Sequence, residues 1–240
     1  MTRFLSLLVL IAALAFVASP FLFGQFQGYP PELFPVPQDE PPVQPVGWAF
    51  SIWGVIYAWL VAGSGFGLIA RHSDDDWSAM RWPLLSSLIM GFFWIPLAGN
   101  APVPATVLIL AMAIAAIVAM LRAGSGDRWW QLLPIGIYAG WLTAASGVSL
   151  GIVLGGYGIM SPFWAAVLSL IAVCAVTLVV QKARPDCQSY SLAVVWALLG
   201  VVAANLSPAS PAIVVVAALG GLAVVAQLVR MRFARFGDAH

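Results

Sequence analysis

Phe50, Trp53 and Tyr57 recur at i, i+3 and i+7, a spacing that stacks three aromatic side chains on one face of a helix. Pro134, Tyr138, Trp141 and Ala145 share a second face in the same way. Such faces can hold a flat, apolar molecule by ring contact, with Thr143, Ser146 and Ser149 as hydroxyls that orient it or bond back to their own helix. Of the eleven tryptophans, Trp53, Trp94, Trp141 and Trp196 lie deep in apolar runs, where lining a cavity and ordinary packing are both open. Trp48, Trp77, Trp82, Trp129, Trp130 and Trp164 lie near run ends, where an interfacial belt places such rings.

Acid–base and metal chemistry have few carriers. No apolar run holds Asp, Glu, Lys, Arg or His in its interior, and the two histidines, His72 and His240, fall in a connection and at the C-terminus. Intramembrane ionisable groups mark ion paths, proton relays and catalytic centres. Their absence argues against carboxylate-coupled transport, a His- or carboxylate-ligated metal and a haem held by paired histidines. Tyr57 and Tyr138 would be the remaining proton carriers within the runs. An enzyme of ordinary type is therefore not expected, and no cofactor is required. Cys174 and Cys187 form neither a disulfide framework nor a metal-ligand pair.

The elements that must position these residues follow from composition. The chain is 62% hydrophobic and 8% charged, against about 25% charged in soluble domains, so it cannot coat a water-facing surface. A net charge of +1 leaves no basic stripe for nucleic acid. Eight runs are long enough to cross a bilayer as helices: 4–23, 48–70, 82–98, 101–121, 131–154, 161–181, 190–207 and 212–229. None alternates as a barrel strand would. The expected fold is thus an all-α membrane protein of eight transmembrane helices.

All ten basic residues then fall on one side: Arg3, Arg71, Arg81, Arg122, Arg128, Lys182, Arg184, Arg230, Arg232 and Arg235. The positive-inside rule makes that side cytoplasmic, with both termini on it. The first run also resembles a signal peptide in its basic start and small residues Ala13 and Ala15, so retention and cleavage are alternatives that charge alone does not decide. Asp74, Asp75 and Asp76 read as a solvated turn, with a weak cation site as the lesser alternative. The connection 24–47 has seven prolines and no helical period, which makes it stiff and extended, either a linker or a lid over the opposite end. Gly140, Ala144, Gly147 and Gly151 form a small-residue seam, expected to let another helix approach closely.

Three stretches, in order, resemble the TspO/MBR family, the tryptophan-rich sensory proteins that include the translocator protein of mitochondria. They are GWAFSIWGVIYAWL at 47–60, FFWIPLAGN at 92–100 and WLTAASGVS at 141–149, the last with Ser149 where the family usually has Asn. The resemblance covers residues 1–157 as a five-helix bundle with the proline-rich outer loop 24–47 and a retained first helix. Residues 158–240 would add three helices and a short basic tail, as in a divergent, extended branch. Members bind tetrapyrroles such as protoporphyrin, and some bind sterols, in a cavity roofed by the first loop. By resemblance, Trp48, Phe50, Trp53, Tyr57, Trp94, Tyr138, Trp141, Thr143 and Ala145 would line that cavity.

The function this implies is a multi-pass binding and sensory-regulatory protein, in a bacterial inner membrane, for a hydrophobic, tetrapyrrole-like ligand. A transporter of a small uncharged or amphipathic molecule is the alternative, and a porphyrin-degrading enzyme using Trp141 a minor one. The expected partners are the bilayer and a hydrophobic small molecule, with homodimerisation left open.

Overall fold

The computed structural model describes residues 2–207 and 210–237. It contains eight helices in sequence: α1 (Thr2–Phe23), α2 (Ile52–Ala70), α3 (Asp75–Ala98), α4 (Pro102–Arg122), α5 (Leu132–Gly156), α6 (Pro162–Ala183), α7 (Gln188–Ala204) and α8 (Pro211–Gly237). Short 3₁₀ turns occupy Pro31–Leu33 and Gly47–Ser51, and no strand occurs among the described residues. Seven helices are long and apolar enough to cross a membrane. Of the eight expected spans, α7 is the one outside this set: at 17 residues it is a shorter apolar helix. At about 1.5 Å per residue it is about 25 Å long, below the thickness of a typical hydrocarbon core. It still runs the length of the bundle: the residues before it bond to Arg128 at one end, and Asn205 after it donates to the Pro42 carbonyl at the other.

α5 organises the bundle, packing against α4 on one side and α6 and α7 on the other. Its small-residue seam packs as expected. A Cβ on Gly140 would strike the Tyr190 carbonyl oxygen of α7, and one on Gly147 would strike the Val173 side chain of α6. α1, α3 and α4 complete one half of the bundle, while α8 closes the other against α6 and α7.

The connections after α2, α4 and α6 are fastened to one another at one end. Arg71 pairs with Asp127 at 2.7 Å, and Arg184 donates to the Leu121 and Ala123 carbonyls. Arg128 donates to the Asp186 carbonyl at 2.6 Å. Arg71, Arg81, Arg128 and Arg184 therefore meet at one end, while His240 and the side chain of Arg235 lie outside the described residues.

Three boundaries differ from the hydropathy reading. α3 begins at Asp75 rather than at residue 82, because Asp74 caps it: its backbone is extended and its Oδ1 accepts from the Asp76 N–H at 2.9 Å. The acidic triplet is thus a capped first turn. Arg81 consequently sits inside a helix, 2% exposed, and donates to the Arg71 and His72 carbonyls at the end of α2. α8 runs to Gly237, beyond residue 229. The second run opens as the 3₁₀ turn, with α-helix only from Ile52. Hydropathy ends a run where charges begin, whereas hydrogen bonding carries a helix past the apolar region.

Candidate functional site

At the end opposite the arginines, the proline-rich connection is a fastened cover. Val36 N–H donates to the Gly156 carbonyl and Val46 N–H to the Gly200 carbonyl, tying the segment to the ends of α5 and α7. Phe34 fills the space left by the missing side chain of Gly156. Tyr29 is 6% exposed, and its hydroxyl lies 2.5 Å from Ser149 Oγ on α5. Ser149 Oγ in turn lies 2.7 Å from Thr106 Oγ1 on α4. Burial raises the Tyr29 phenol above its ordinary value, so it stays neutral and able to donate.

Beneath the cover lies a cavity of about 670 Å³ whose walls include Phe16 of α1, Phe26 of the connection, Trp94 of α3 and Met112 of α4. Its wall on this side is Phe50 of the 3₁₀ turn with Trp53 and Tyr57 of α2. A deeper lobe of about 40 Å³ shares Phe26, Phe50, Trp53, Trp94 and Ile109, and ends on Trp141, Ala145 and Ser149. The rings form a continuous cluster. Trp53 stacks on Tyr57 at 5.2 Å and meets Trp141 edge-on at 6.1 Å, while Phe16 stands edge-on to both Trp53 and Tyr57. No acidic or basic side chain lines either space, and the polar groups at the mouth are the amides of Gln25, Gln27 and Gln44. The chemistry available is ring stacking, apolar contact and neutral hydrogen bonding.

Of the residues singled out from the sequence, Phe50, Trp53, Tyr57, Trp94, Trp141 and Ala145 are brought together around this space. Three lie elsewhere. Trp48 is on the outer side of the 3₁₀ turn, edge-on to Trp196 at 5.0 Å, since two residues of 3₁₀ helix turn it away from the face of Phe50. Tyr138 is fully buried behind Phe16, 2.8 Å from Ser87 Oγ. Thr143 faces α7, where its hydroxyl lies 3.0 Å from that of Tyr190. Trp94 carries a second task, since its Nε1–H donates to the Ala105 carbonyl and holds α3 to α4.

Trp141 is different. It is 2% exposed, and its Nε1–H has no acceptor among the described residues. Buried indole N–H groups usually find a partner, so this donor is an unsatisfied polar group on a residue that lines the deeper lobe. Sequence reasoning missed Phe16, Phe26 and Tyr29. An apolar ring in a predominantly apolar α1 carries no signal, whereas Tyr29, the one tyrosine in the proline-rich connection, does offer one.

A family model described as TSPO-like protein matches residues 5–230. The chain belongs to the TSPO-like family. The match runs through α1 to α8 and includes all three resembling stretches, so it does not stop at residue 157. No curated protein and no solved structure matched the chain. This TSPO-like chain is a multi-pass membrane protein, with seven candidate spans. Its aromatic cavity is formed by helices α1 to α5, with Ala197 of α7 reaching the deeper lobe.

Proposed function

We propose that this TSPO-like protein binds a hydrophobic, tetrapyrrole-like ligand under the proline-rich cover and serves a sensory-regulatory role. The observation that carries this reading is the unpartnered Trp141 Nε1–H beside the cluster of Phe50, Trp53 and Tyr57. A macrocycle offers ring faces for the cluster and nitrogen or carbonyl acceptors for the indole. The volume of about 670 Å³ lies within the range of pockets that enclose cofactor-sized molecules. The wall toward the basic end includes Tyr57 and Met112, and below it Tyr138 and Ser87 bond across α5 and α3. Such a blind end favours holding a ligand over passing it through.

In this reading all eight helices cross a bacterial inner membrane, and both termini face the cytoplasm, the side to which the basic residues belong. Residues 1–157 carry most of the site, while α6 and α7 buttress α5 and Ala197 of α7 reaches the deeper lobe. Titration of the detergent-purified protein with protoporphyrin tests it: tryptophan fluorescence should be quenched saturably, and the quenching should weaken in Trp53→Ala and Trp141→Ala. Absence of saturable quenching, or quenching indifferent to both substitutions, would remove it. Because the wall holds no cation, the dimethyl ester should bind at least as well as the diacid.

A further inference from the structure

A second, larger space lies on the other side of α2. It has a volume of about 900 Å³, with Ile52, Val55 and Trp59 of α2 facing Leu192 and Trp196 of α7 across a floor that includes Ile137 of α5. The walls are apolar, and Val55 and Leu192 are more than half exposed, so in a membrane this groove opens to lipid. Trp196 Nε1–H donates to the Ala49 carbonyl where the 3₁₀ turn meets α7 near the covered end. At the basic end the lining includes Arg128, Trp129 and Arg232.

The charge is what makes this groove more than a gap between helices. Arg128 donates to the Asp186 carbonyl and to Gln188 Oε1, but the Asp186 carboxylate is taken by Arg184 Nε at 3.0 Å. Neither Arg128 nor Arg232 has a carboxylate partner among the described residues. Trp59 lies midway along α2, and its Nε1–H donates to the Trp129 carbonyl, tying the groove wall to the connection that leads into α5. From Ile52 to Trp59 the groove follows about 10 Å of helix, most of the depth of one leaflet.

We infer that the α2–α7 groove is a site for an anionic phospholipid of the leaflet on the basic side. Its acyl chain lies along Val55, Ile137 and Leu192, and its phosphate lies between Arg128 and Arg232. An apolar channel ending in two cations without carboxylate partners matches an amphiphile with a single anionic head. A zwitterionic lipid fits the channel equally and the charge poorly.

Native mass spectrometry of the detergent-purified full chain tests this with phosphatidylglycerol, phosphatidylcholine of the same acyl chains, and inorganic phosphate. One phosphatidylglycerol per chain should be retained in preference to phosphatidylcholine, and phosphate should neither bind comparably nor displace it. Arg232→Gln and Arg128→Gln should each weaken retention about five-fold, the usual worth of one basic residue toward an anionic lipid. Leu192→Trp, which fills the channel, should abolish it. Arg232 is exposed, so its substitution keeps the test valid if Arg128→Gln disturbs the fold, with circular dichroism as the check. Equal retention of both lipids, phosphate binding as tight as the lipid, or a dimer that Leu192→Trp dissociates would each overturn the proposal.

Discussion

The hydroxyl of Tyr29 lies 2.5 Å from Ser149 Oγ, joining residues 120 apart in sequence and fastening the proline-rich connection to α5. Ser149 passes the bond on to Thr106, so one chain of hydroxyls ties the cover to two helices. Tyr29→Phe removes one buried hydrogen bond while Ser149 keeps another partner, and should cost about 1 kcal/mol in thermal or denaturant unfolding. Amide exchange over residues 24–47 should accelerate, and porphyrin release with it. The folded phenol is raised above the unfolded value by burial, so its contribution is constant below about pH 10 and declines only as the unfolded phenol ionises above that. A cover that loosened between pH 6 and 9 would contradict this assignment.

Trp141→Phe keeps an aromatic ring in the deeper lobe and deletes the unpartnered N–H. Porphyrin affinity should fall about five-fold, the worth of one neutral hydrogen bond. Trp53→Ala, which removes the ring that touches both Tyr57 and Trp141, should cost more. Equilibrium titration of the two variants side by side checks the order.

The carboxylate of Asp127 accepts from Arg71 Nε at 2.7 Å and from Trp77 Nε1 at 2.9 Å. The Arg71 hydrogen bond, opposed by partial burial and helped by Trp77, holds its pKa below the ordinary carboxylate value. The stabilisation is therefore complete above about pH 4, the unfolded value, and is lost as pH falls through the lower folded one. Asp127→Asn should lower the unfolding midpoint at pH 7 and flatten its acid dependence. An unchanged acid limb would show that this pair does not hold the connection after α2 to the connection after α4.

Gly140→Ala places a methyl group against the Tyr190 carbonyl of α7, and overpacking of this kind costs about 1–3 kcal/mol. Gly65→Ala, on α2 with open space around it, should be neutral or stabilising by up to about 1 kcal/mol. Thermal unfolding of the pair separates close helix approach from a general effect of replacing helical glycine.

The arrangement of the ends is legible in the sequence. Alternate connections carry the arginines, and those connections do meet, through Arg71 with Asp127 and Arg128 with Asp186. The aromatic face of α2 was legible too, because Trp53 and Tyr57 sit in regular helix. Trp48 came from the resemblance alone: two residues from Phe50, it falls on the opposite side of an α-helical or a 3₁₀ start alike. Thr143 is two residues from Trp141, about 200° around the helix, which turns it toward Tyr190 while Trp141 faces the cavity. Arg81 escaped because a scan for apolar runs stops at the first charge, whereas here the buried guanidinium donates to the Arg71 and His72 carbonyls just past the end of α2. Only packing shows that.

α2 touches the aromatic cavity with Trp53, Gly54 and Tyr57, and the lipid-facing groove with Ile52, Val55 and Trp59. It is a partition one helix thick between two chambers of about 670 and 900 Å³. Molecules lodged on its two sides lean on the same wall, and any preference of one for the position the other imposes must be mutual. Stripping lipid from one side should then shift porphyrin affinity by the same factor that porphyrin shifts lipid affinity, which would let the composition of the surrounding membrane set the threshold at which the ligand is sensed.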